Sequence, residues 1–192
     1  MAPTSTEFKY ETPLKPNHFE QPVCTIYKSR EYGERWMAHN YTRPNACVLE
    51  FGAGVGSVTA TLQEKLSDPT CHVAVEPGAE NTSGLDLSQL RDNIAACDHK
   101  VTVVDHVLAK GEELSSLVSG RPFDTLVVDC EGCLVHEHKK NPHLFEHVTQ
   151  VQVERDDNGK YDKLFKEMGL TRVFREKTGC ADKCFNEVWE KA

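Results

Sequence analysis

Acidic side chains directly follow two apolar runs of the chain, at places where a carboxylate could do chemistry. Asp129 and Glu131 come after the run at residues 125–128, and Glu154 follows the other run. A carboxylate placed in this way can orient a hydroxyl group and accept its proton. His136 is a further candidate base because imidazole titrates near neutral pH, although an ordinary loop histidine is the competing interpretation. We therefore predict acid–base chemistry at Asp129, Glu131, His136 and Glu154.

A glycine-rich turn forms the second chemical feature. It follows an apolar run at residues 48–51, which is typical of a buried strand, and it precedes a predicted helix at residues 57–66. Glycines let the backbone approach a ligand closely, and the free N–H groups at the start of the helix point toward that ligand. The turn therefore predicts a site for an adenosine- or phosphate-bearing molecule, formed by Gly52, Ala53, Gly54 and Gly56.

Glu50 indicates which ligand this turn binds. Its carboxylate stands two residues before the first glycine, where it would repel a pyrophosphate but suit an ammonium group. A dinucleotide fingerprint would also place glycine or alanine where Ser57 stands. S-adenosylmethionine carries both an ammonium and a sulfonium, so we predict it as the cofactor. A nicotinamide or flavin dinucleotide is the alternative.

Further cofactor contacts are predicted at the ends of the next two strands. Glu76 lies 20 residues after Gly56 and just before Pro77. An acid at this position can bind both ribose hydroxyls. Asp105 and His106 follow the third predicted strand and could reach the adenine, although a solvated loop explains them nearly as well.

The elements that must position these residues alternate along the chain. Helices are predicted at residues 25–40, 57–66, 85–96 and 161–168, and the first of them could cap the sheet or help to close the ligand pocket. Strands are predicted at residues 48–51, 72–76, 101–104, 125–128, 148–153, 171–176 and 184–189. This order predicts an α/β, doubly wound, Rossmann-like parallel sheet with an antiparallel C-terminal strand pair and ligands at the carboxyl ends of the strands. The proline-bearing residues 1–21 are expected to form a flexible arm, and residues 22–192 a single domain.

The composition of the chain limits the kinds of partner that the protein is expected to bind. The net charge of −8 makes nucleic acid an unlikely partner, because binding through many phosphates favours a basic face. No apolar run reaches membrane-spanning length and no secretory signal pattern opens the chain, so we expect a cytoplasmic protein that does not enter a membrane. The eight cysteines are then expected to be reduced thiols. The sequence does not indicate an oligomeric state.

Two of the motifs resemble known methyltransferases. The run Glu-Phe-Gly-Ala-Gly-Val-Gly at residues 50–56 resembles motif I of class I methyltransferases, and residues 123–132 resemble the Asp-x-Glu-Gly motif of the FkbM type. Glu76, Asn93 and Glu154 fall where that family tends to carry the same residues, and the similarity covers about residues 45–175. It implies a class I methyltransferase fold and S-adenosylmethionine-dependent O-methylation of a sugar or other small-molecule hydroxyl. Residues 133–136 depart from the family pattern, which leaves the acceptor open.

A second resemblance introduces a metal. Catechol-type O-methyltransferases bind a divalent cation with an Asp after strand four and an Asp-Asn pair after strand five. Asp129, Asp157 and Asn158 are similarly spaced here and could hold Mg²⁺, which would lower the pKa of an acceptor hydroxyl. A plain turn at residues 156–159 explains the same composition and is the favoured interpretation.

Two other interpretations compete with an S-adenosylmethionine-dependent enzyme. Zinc is one of them, suggested by two cysteine pairs and four histidines: Cys130, Cys133, Cys180, Cys184, His136, His138, His143 and His147. A thiolate site at the end of the fourth strand would compete with the cofactor pocket, so a histidine-rich loop with reduced thiols is favoured. A non-catalytic module that merely holds the cofactor or a partner is the other rival. The presence of Glu50, Glu76 and Asp129 argues against it.

Overall fold

The computed structural model describes residues 31–78, 87–130, 132–155, 160–178 and 184–192. Helices and strands alternate along them as α1 (Tyr32–Tyr41), β1 (Val48–Phe51), α2 (Ser57–Lys65), β2 (His72–Val75), α3 (Leu87–Ala96), β3 (Thr102–Val104), β4 (Thr125–Val128), α4 (Cys133–Lys140), β5 (Gln150–Arg155), α5 (Lys160–Glu167), β6 (Leu170–Lys177) and β7 (Phe185–Lys191). Short 3₁₀ helices lie at Ser115–Val118 and Pro142–Phe145. The predicted arm at residues 1–21 and the start of the first predicted helix lie outside the described residues.

The strands form one seven-stranded sheet in the order β3-β2-β1-β4-β5-β7-β6. Strands β1 to β5 run parallel, whereas β7 pairs antiparallel with both β5 and β6. This arrangement confirms the predicted Rossmann-like fold with its antiparallel C-terminal pair. Strand order reverses beside β1, which is the place where ligands bind in open sheets of this kind.

The centre of the sheet is buried on both faces, as its apolar strands predict, whereas the edge strand β6 is mostly exposed. All four residues of β1, β2 and β4 are buried. Because side chains alternate along a strand, Leu49 and Phe51 pack into the larger core with Phe165 and Trp189, and Val48 packs on the opposite face with the helix α2. This sandwich fixes β1 rigidly, and β1 leads directly into the glycine-rich turn. No helix among the described residues has the length and apolar character that crossing a bilayer would require.

Helix α4 corrects the predicted histidine-rich loop. The chain turns at Gly132 in a left-handed conformation and then forms a helix over Cys133–Lys140. Leu134 and Glu137 are on the buried face of this helix, whereas His136 is exposed. His136 and His138 therefore lie on a helix, His143 lies on the 3₁₀ helix that follows it, and His147 lies in the turn beyond. A short helix with so few apolar positions shows no clear periodicity in the sequence.

The expectation of reduced thiols is wrong for all six of the cysteines that the structure describes. Disulfides join Cys47 to Cys71 and Cys130 to Cys133, and Cys97 and Cys184 are disulfide-bonded as well. Cys47 and Cys71 immediately precede β1 and β2, whose first residues are paired in the sheet, so their Cα atoms lie 4.8 Å apart. The bond between Cys130 and Cys133 also removes both thiolates as zinc ligands.

The Cys47–Cys71 disulfide gives a first testable prediction. It closes a loop with a sequence separation of 24, so replacing both cysteines by alanine should lower the free energy of unfolding by about 3 kcal/mol. The matched control is the Cys130→Ala/Cys133→Ala variant, whose short loop predicts about half of that effect. Denaturant titration of both variants measures the difference. Unfolding of the wild type that is insensitive to a reducing agent would contradict the assignment.

Candidate functional site at the carboxyl ends of the strands

The strand register brings four of the predicted site segments to one edge of the sheet. Phe51 pairs with Val75 on one side and with Val128 on the other, and Val128 pairs in turn with Val153. The parallel strands therefore end level with one another. The residues at the carboxyl ends of these strands are therefore neighbours in space. They are the turn at residues 52–56, Glu76, Asp129 and Glu154.

The glycine-rich turn uses backbone conformations that favour glycine. The φ angles are 85° at Gly52, 55° at Gly54 and 93° at Gly56, which is the N-cap residue of α2. The Gly56 N–H donates to the Ala53 carbonyl at 2.8 Å and tightens the turn. Gly52 is also in close contact with the next strand, because an added Cβ would lie 1.7 Å from the Asp129 carbonyl oxygen.

Glu76 connects this turn to the end of β2. The side chain is 8% exposed, and its two carboxylate oxygens accept separate backbone hydrogen bonds. The Gly54 N–H donates to Oε2 at 2.9 Å, and beyond Pro77 the Gly78 N–H donates to Oε1 at 3.0 Å. Asn93 supports the other side of the turn by donating to the Val55 carbonyl at 2.9 Å. A carboxylate held in this way stands beside the turn with lone pairs left for further donors.

A second prediction concerns Glu76. Glu76→Ala should weaken binding of S-adenosylhomocysteine by about tenfold to a hundredfold, because charge-assisted hydrogen bonds of roughly 1.5–3 kcal/mol are lost. Glu76→Gln retains one acceptor oxygen and should lose less. Asn93→Ala is the matched control, since it loosens the turn without removing a carboxylate. Calorimetry on folded variants measures the affinities, and an unchanged affinity in Glu76→Ala would refute the ribose assignment.

Glu50 lies in a buried polar network behind the turn. Its Oε2 accepts hydrogen bonds from Thr59 Oγ1 at 2.8 Å and from His72 Nε2 at 3.0 Å. The Gln63 amide donates to His72 Nδ1 at 3.0 Å, so the imidazole carries its proton on Nε2 and donates it to Glu50. The other oxygen, Oε1, is buried and has no hydrogen-bond partner in the described part of the chain. A buried carboxylate oxygen of this kind is costly unless a donor satisfies it.

Glu50 lines a narrow cavity at the carboxyl ends of the strands. Gly52, Asp129 and Glu154 line the same cavity, which brings the glycine turn and two predicted catalytic carboxylates together. Helix α1 closes its far side with Glu34 and Met37. The prediction that the first helix could help to close the pocket agrees with this arrangement.

Other predicted residues lie apart from this cavity. His136 is exposed on α4 and does not line this cavity. Asp105 is exposed and bonds to Arg91, which is the main reason that the pKa of its carboxyl is lowered. His106 bonds to Glu112 at 2.9 Å, and this hydrogen bond is the main factor that raises the pKa of its imidazole. Glu131, Asp157 and Asn158 lie outside the described residues.

Sequence reasoning missed two residues of the cavity wall. Glu34 lies on α1 and could not be placed without the fold. Gln152 is 1% exposed in β5, and no residue that the structure describes donates a hydrogen bond to its Oε1. A signal for it was present, because polar Gln150 and Gln152 alternate with valines in a strand that is otherwise apolar.

Comparisons with known proteins bear on the fold. No protein-family model matches the chain, and no curated protein matches its sequence. Among solved structures, a candidate tRNA (m1A22) methyltransferase of Streptococcus pneumoniae, solved with S-adenosyl-L-methionine, superposes with a TM-score of 0.59 at 15% identity over 82% of this chain and 72% of that chain. A ribosomal protein L11 methylase of Lactobacillus delbrueckii subsp. bulgaricus gives a TM-score of 0.56 at 15% identity, covering 83% and 77% of the two chains.

A third structure extends the range of acceptors among these relatives. The magnesium protoporphyrin IX methyltransferase of Synechocystis, solved with bound S-adenosylmethionine, gives a TM-score of 0.53 at 14% identity over 83% of this chain and 76% of that chain. The three proteins are named for an RNA, a protein and a porphyrin acceptor. Identities this low show the fold and not the acceptor. The chain thus has the Rossmann-like fold of class I S-adenosylmethionine-dependent methyltransferases.

Proposed function

We propose that this protein is an S-adenosylmethionine-dependent methyltransferase. The observation that carries the proposal is the buried Glu50 carboxylate, whose Oε1 has no hydrogen-bond partner among the residues that the structure describes. Thr59 and His72 both bond to the other oxygen, Oε2. An ammonium group such as that of the cofactor would complete this network.

The chain's own residues fit that cofactor in two further ways. The glycine turn offers a close backbone approach, and Glu76 offers a carboxylate for the ribose hydroxyls at the end of β2. When bound, S-adenosylmethionine supplies a methyl group on a positively charged sulfur. A pyrophosphate is a poorer match, because Glu50 places a carboxylate beside the turn.

Asp129 is the residue that we assign to the acceptor. It follows β4 and lines the narrow cavity with Glu154 and Gly52. We propose that its carboxylate orients an acceptor hydroxyl in line with the methyl group and accepts the hydroxyl proton, with Glu154 as a further carboxylate near the acceptor. A catalytic role for Glu131 stays a prediction from the sequence. The resemblance to FkbM-type enzymes supports a hydroxyl of a small molecule or sugar as the acceptor.

The Mg²⁺ alternative gives a third prediction. Among the residues that the structure describes, no three side chains of ligand type converge on a metal site. If Asp129 acts directly on the acceptor, a chelator should leave methyl transfer nearly unchanged, and Asp157→Ala should be mild, as for a turn residue. Abolition of transfer by the chelator, restored by added Mg²⁺, would support the catechol-type mechanism instead.

Calorimetry tests the proposed cofactor. We expect S-adenosylhomocysteine to bind and NAD not to bind, with Glu50→Gln weakening the former because the amide loses the charge that faces the ammonium. Glu167→Gln, an exposed residue of α5, is the control. Tight NAD binding without a response to S-adenosylhomocysteine would refute the proposal. Binding without methyl release to any acceptor would favour the non-catalytic module.

The cytoplasmic location stays a prediction. The disulfides Cys47–Cys71 and Cys130–Cys133 weigh against it, because such bonds persist mainly in oxidising compartments. Thiol labelling of the protein from its native source would decide whether these four cysteines are oxidised.

A further inference from the structure

A chain of hydrogen bonds behind the glycine turn connects the backbone to Glu50. It starts at the amide of Gln63, which is 7% exposed on α2, and continues through the imidazole of His72, which is fully buried at the start of β2. His72 pairs in the sheet with Val48, and side chains alternate along a strand, so His72 and Glu50 lie on the face of the sheet that α2 covers. The helix can therefore act on Glu50 through the histidine.

Two backbone groups fix the orientation of the Gln63 amide. The Lys100 N–H donates to Gln63 Oε1 at 2.7 Å, and Gln63 Nε2 donates to the Pro69 carbonyl at 2.9 Å. Turning the amide over would place Nε2 against an N–H group and Oε1 against a carbonyl oxygen, and both hydrogen bonds would be lost. The second hydrogen of Gln63 Nε2 therefore points at His72 Nδ1, which lies 3.0 Å away.

The fixed amide controls the proton of the His72 ring. A ring nitrogen that faces an N–H donor has to accept, so Nδ1 carries no proton in this arrangement. The ring proton is then on Nε2, which donates to Glu50 Oε2 at 3.0 Å beside the Thr59 hydroxyl at 2.8 Å. A second ring proton would set Nδ1–H against the N–H of Gln63. The amide of Gln63 therefore favours the neutral imidazole over the imidazolium.

The protonation of His72 affects the charge that Glu50 presents to a ligand. A neutral imidazole orients the carboxylate through Oε2, whereas an imidazolium would form an ion pair with it and offset much of its negative charge. Glu50 also lines the narrow cavity beside the glycine turn. We propose that Gln63 and His72 are positioning residues that hold the ring neutral and so reserve the charge of Glu50 for the ammonium group of the cofactor; this inference rests on the proposed methyltransferase function for the identity of the ligand.

Nitrogen NMR of the His72 ring tests the first step of this proposal in the wild type. Ring nitrogens with and without a proton differ clearly in chemical shift. We expect Nε2 to be protonated and Nδ1 to be bare at neutral pH. Protonation of both nitrogens, or a single proton on Nδ1, would overturn the proposal. This readout requires no ligand.

Gln63→Glu is the variant that reverses the effect of the amide. The carboxylate has nearly the same shape but only accepts, so Nδ1 should gain a proton and His72 should become an imidazolium paired with Glu50. We expect S-adenosylhomocysteine to bind about tenfold more weakly or worse, because its ammonium group then competes with the ring for one charge. The analogue that lacks only the amino group should lose less than about threefold. A bare Nδ1 in Gln63→Glu would show that Gln63 does not control the ring proton and would overturn the proposal.

Gln63→Met separates control of the charge from loss of structure. It has a similar length and removes all three hydrogen bonds of the amide, but it brings no acceptor to Nδ1. We expect it to bind S-adenosylhomocysteine at least about threefold more tightly than Gln63→Glu does. Equal losses in the two variants would show a merely structural role and overturn the assignment.

Gln89→Glu is the matched control for the added charge. Gln89 is exposed on α3, so the same substitution there should change the affinity for either ligand less than about twofold and leave the His72 ring as in the wild type. Because a variant of the buried Gln63 could misfold, the state of the ring in the wild type decides the question without one.

Calorimetry with S-adenosylhomocysteine distinguishes a failure of this inference from a failure of the proposed function. If the wild type does not bind S-adenosylhomocysteine, the proposed function fails and this inference fails with it. If the wild type binds it, and Gln63→Glu with a protonated Nδ1 binds it equally well, the proposed function stands and this inference alone fails.

Discussion

Gly52→Ala is expected to abolish measurable binding of S-adenosylhomocysteine and to destabilise the domain. The residue has a φ of 85°, and an added Cβ would lie 1.7 Å from the Asp129 carbonyl oxygen and 2.6 Å from its carbon. These are backbone atoms held by the Asp129 N–H bond to the Phe51 carbonyl at 2.9 Å, so they cannot rotate away. We expect at least a hundredfold loss of affinity and a free energy of unfolding lower by roughly 3 kcal/mol or more.

Gly120→Ala is the matched control for this prediction. Gly120 also has a positive φ, of 76°, but nothing lies within 4 Å of an added Cβ. It should therefore show only the conformational cost of about 1–2 kcal/mol and retain the affinity for S-adenosylhomocysteine. Calorimetry and denaturant titration of both variants make the comparison. Gly52→Ala with the affinity and stability of Gly120→Ala would show that the close approach is unimportant.

Asp129→Asn is expected to lower turnover by about a hundredfold to ten-thousandfold, the usual contribution of a positioned general base. The amide retains the shape of the side chain but loses its charge and basicity. Affinity for S-adenosylhomocysteine should stay within about threefold of the wild type, since we assign Asp129 to the acceptor. Formation of S-adenosylhomocysteine with an accepted hydroxyl substrate measures the turnover.

Asp124→Asn is the control at the opposite end of β4. Asp124 precedes the strand and pairs on the surface with Arg43 at 3.1 Å. Such pairs contribute about 0–1 kcal/mol, so the variant should retain both stability and turnover. Full turnover in Asp129→Asn would remove Asp129 from the mechanism and direct attention to Glu154, Glu131 and His136.

The glycine turn and its supporting strands could be predicted because their signals are local. The apolar run at residues 48–51, the spaced glycines and the helix that follows lie within about twenty residues of sequence. The place of Glu76 at the same edge of the sheet could also be predicted, because parallel strands have their carboxyl ends at one edge. The order of elements also predicted the antiparallel strands β6 and β7. The roles of these residues in binding stay predictions.

The α1 side of the narrow cavity could not be predicted, because it depends on contacts between distant parts of the chain. Glu34, Glu50 and Gln152 come from α1, β1 and β5 and meet only when α1 packs beside the sheet. Whether Gln152 Oε1 has a partner is decided by this packing. The Cys47–Cys71 disulfide depends in the same way on the register of β1 and β2.

A crystal structure of the protein with S-adenosylhomocysteine tests the central claim most directly. We predict that the ligand lies along the turn at residues 52–56, with its ammonium group beside Glu50 and its ribose hydroxyls on Glu76. A ligand bound elsewhere on the molecule, or one whose ammonium and ribose contact neither carboxylate, would contradict the account.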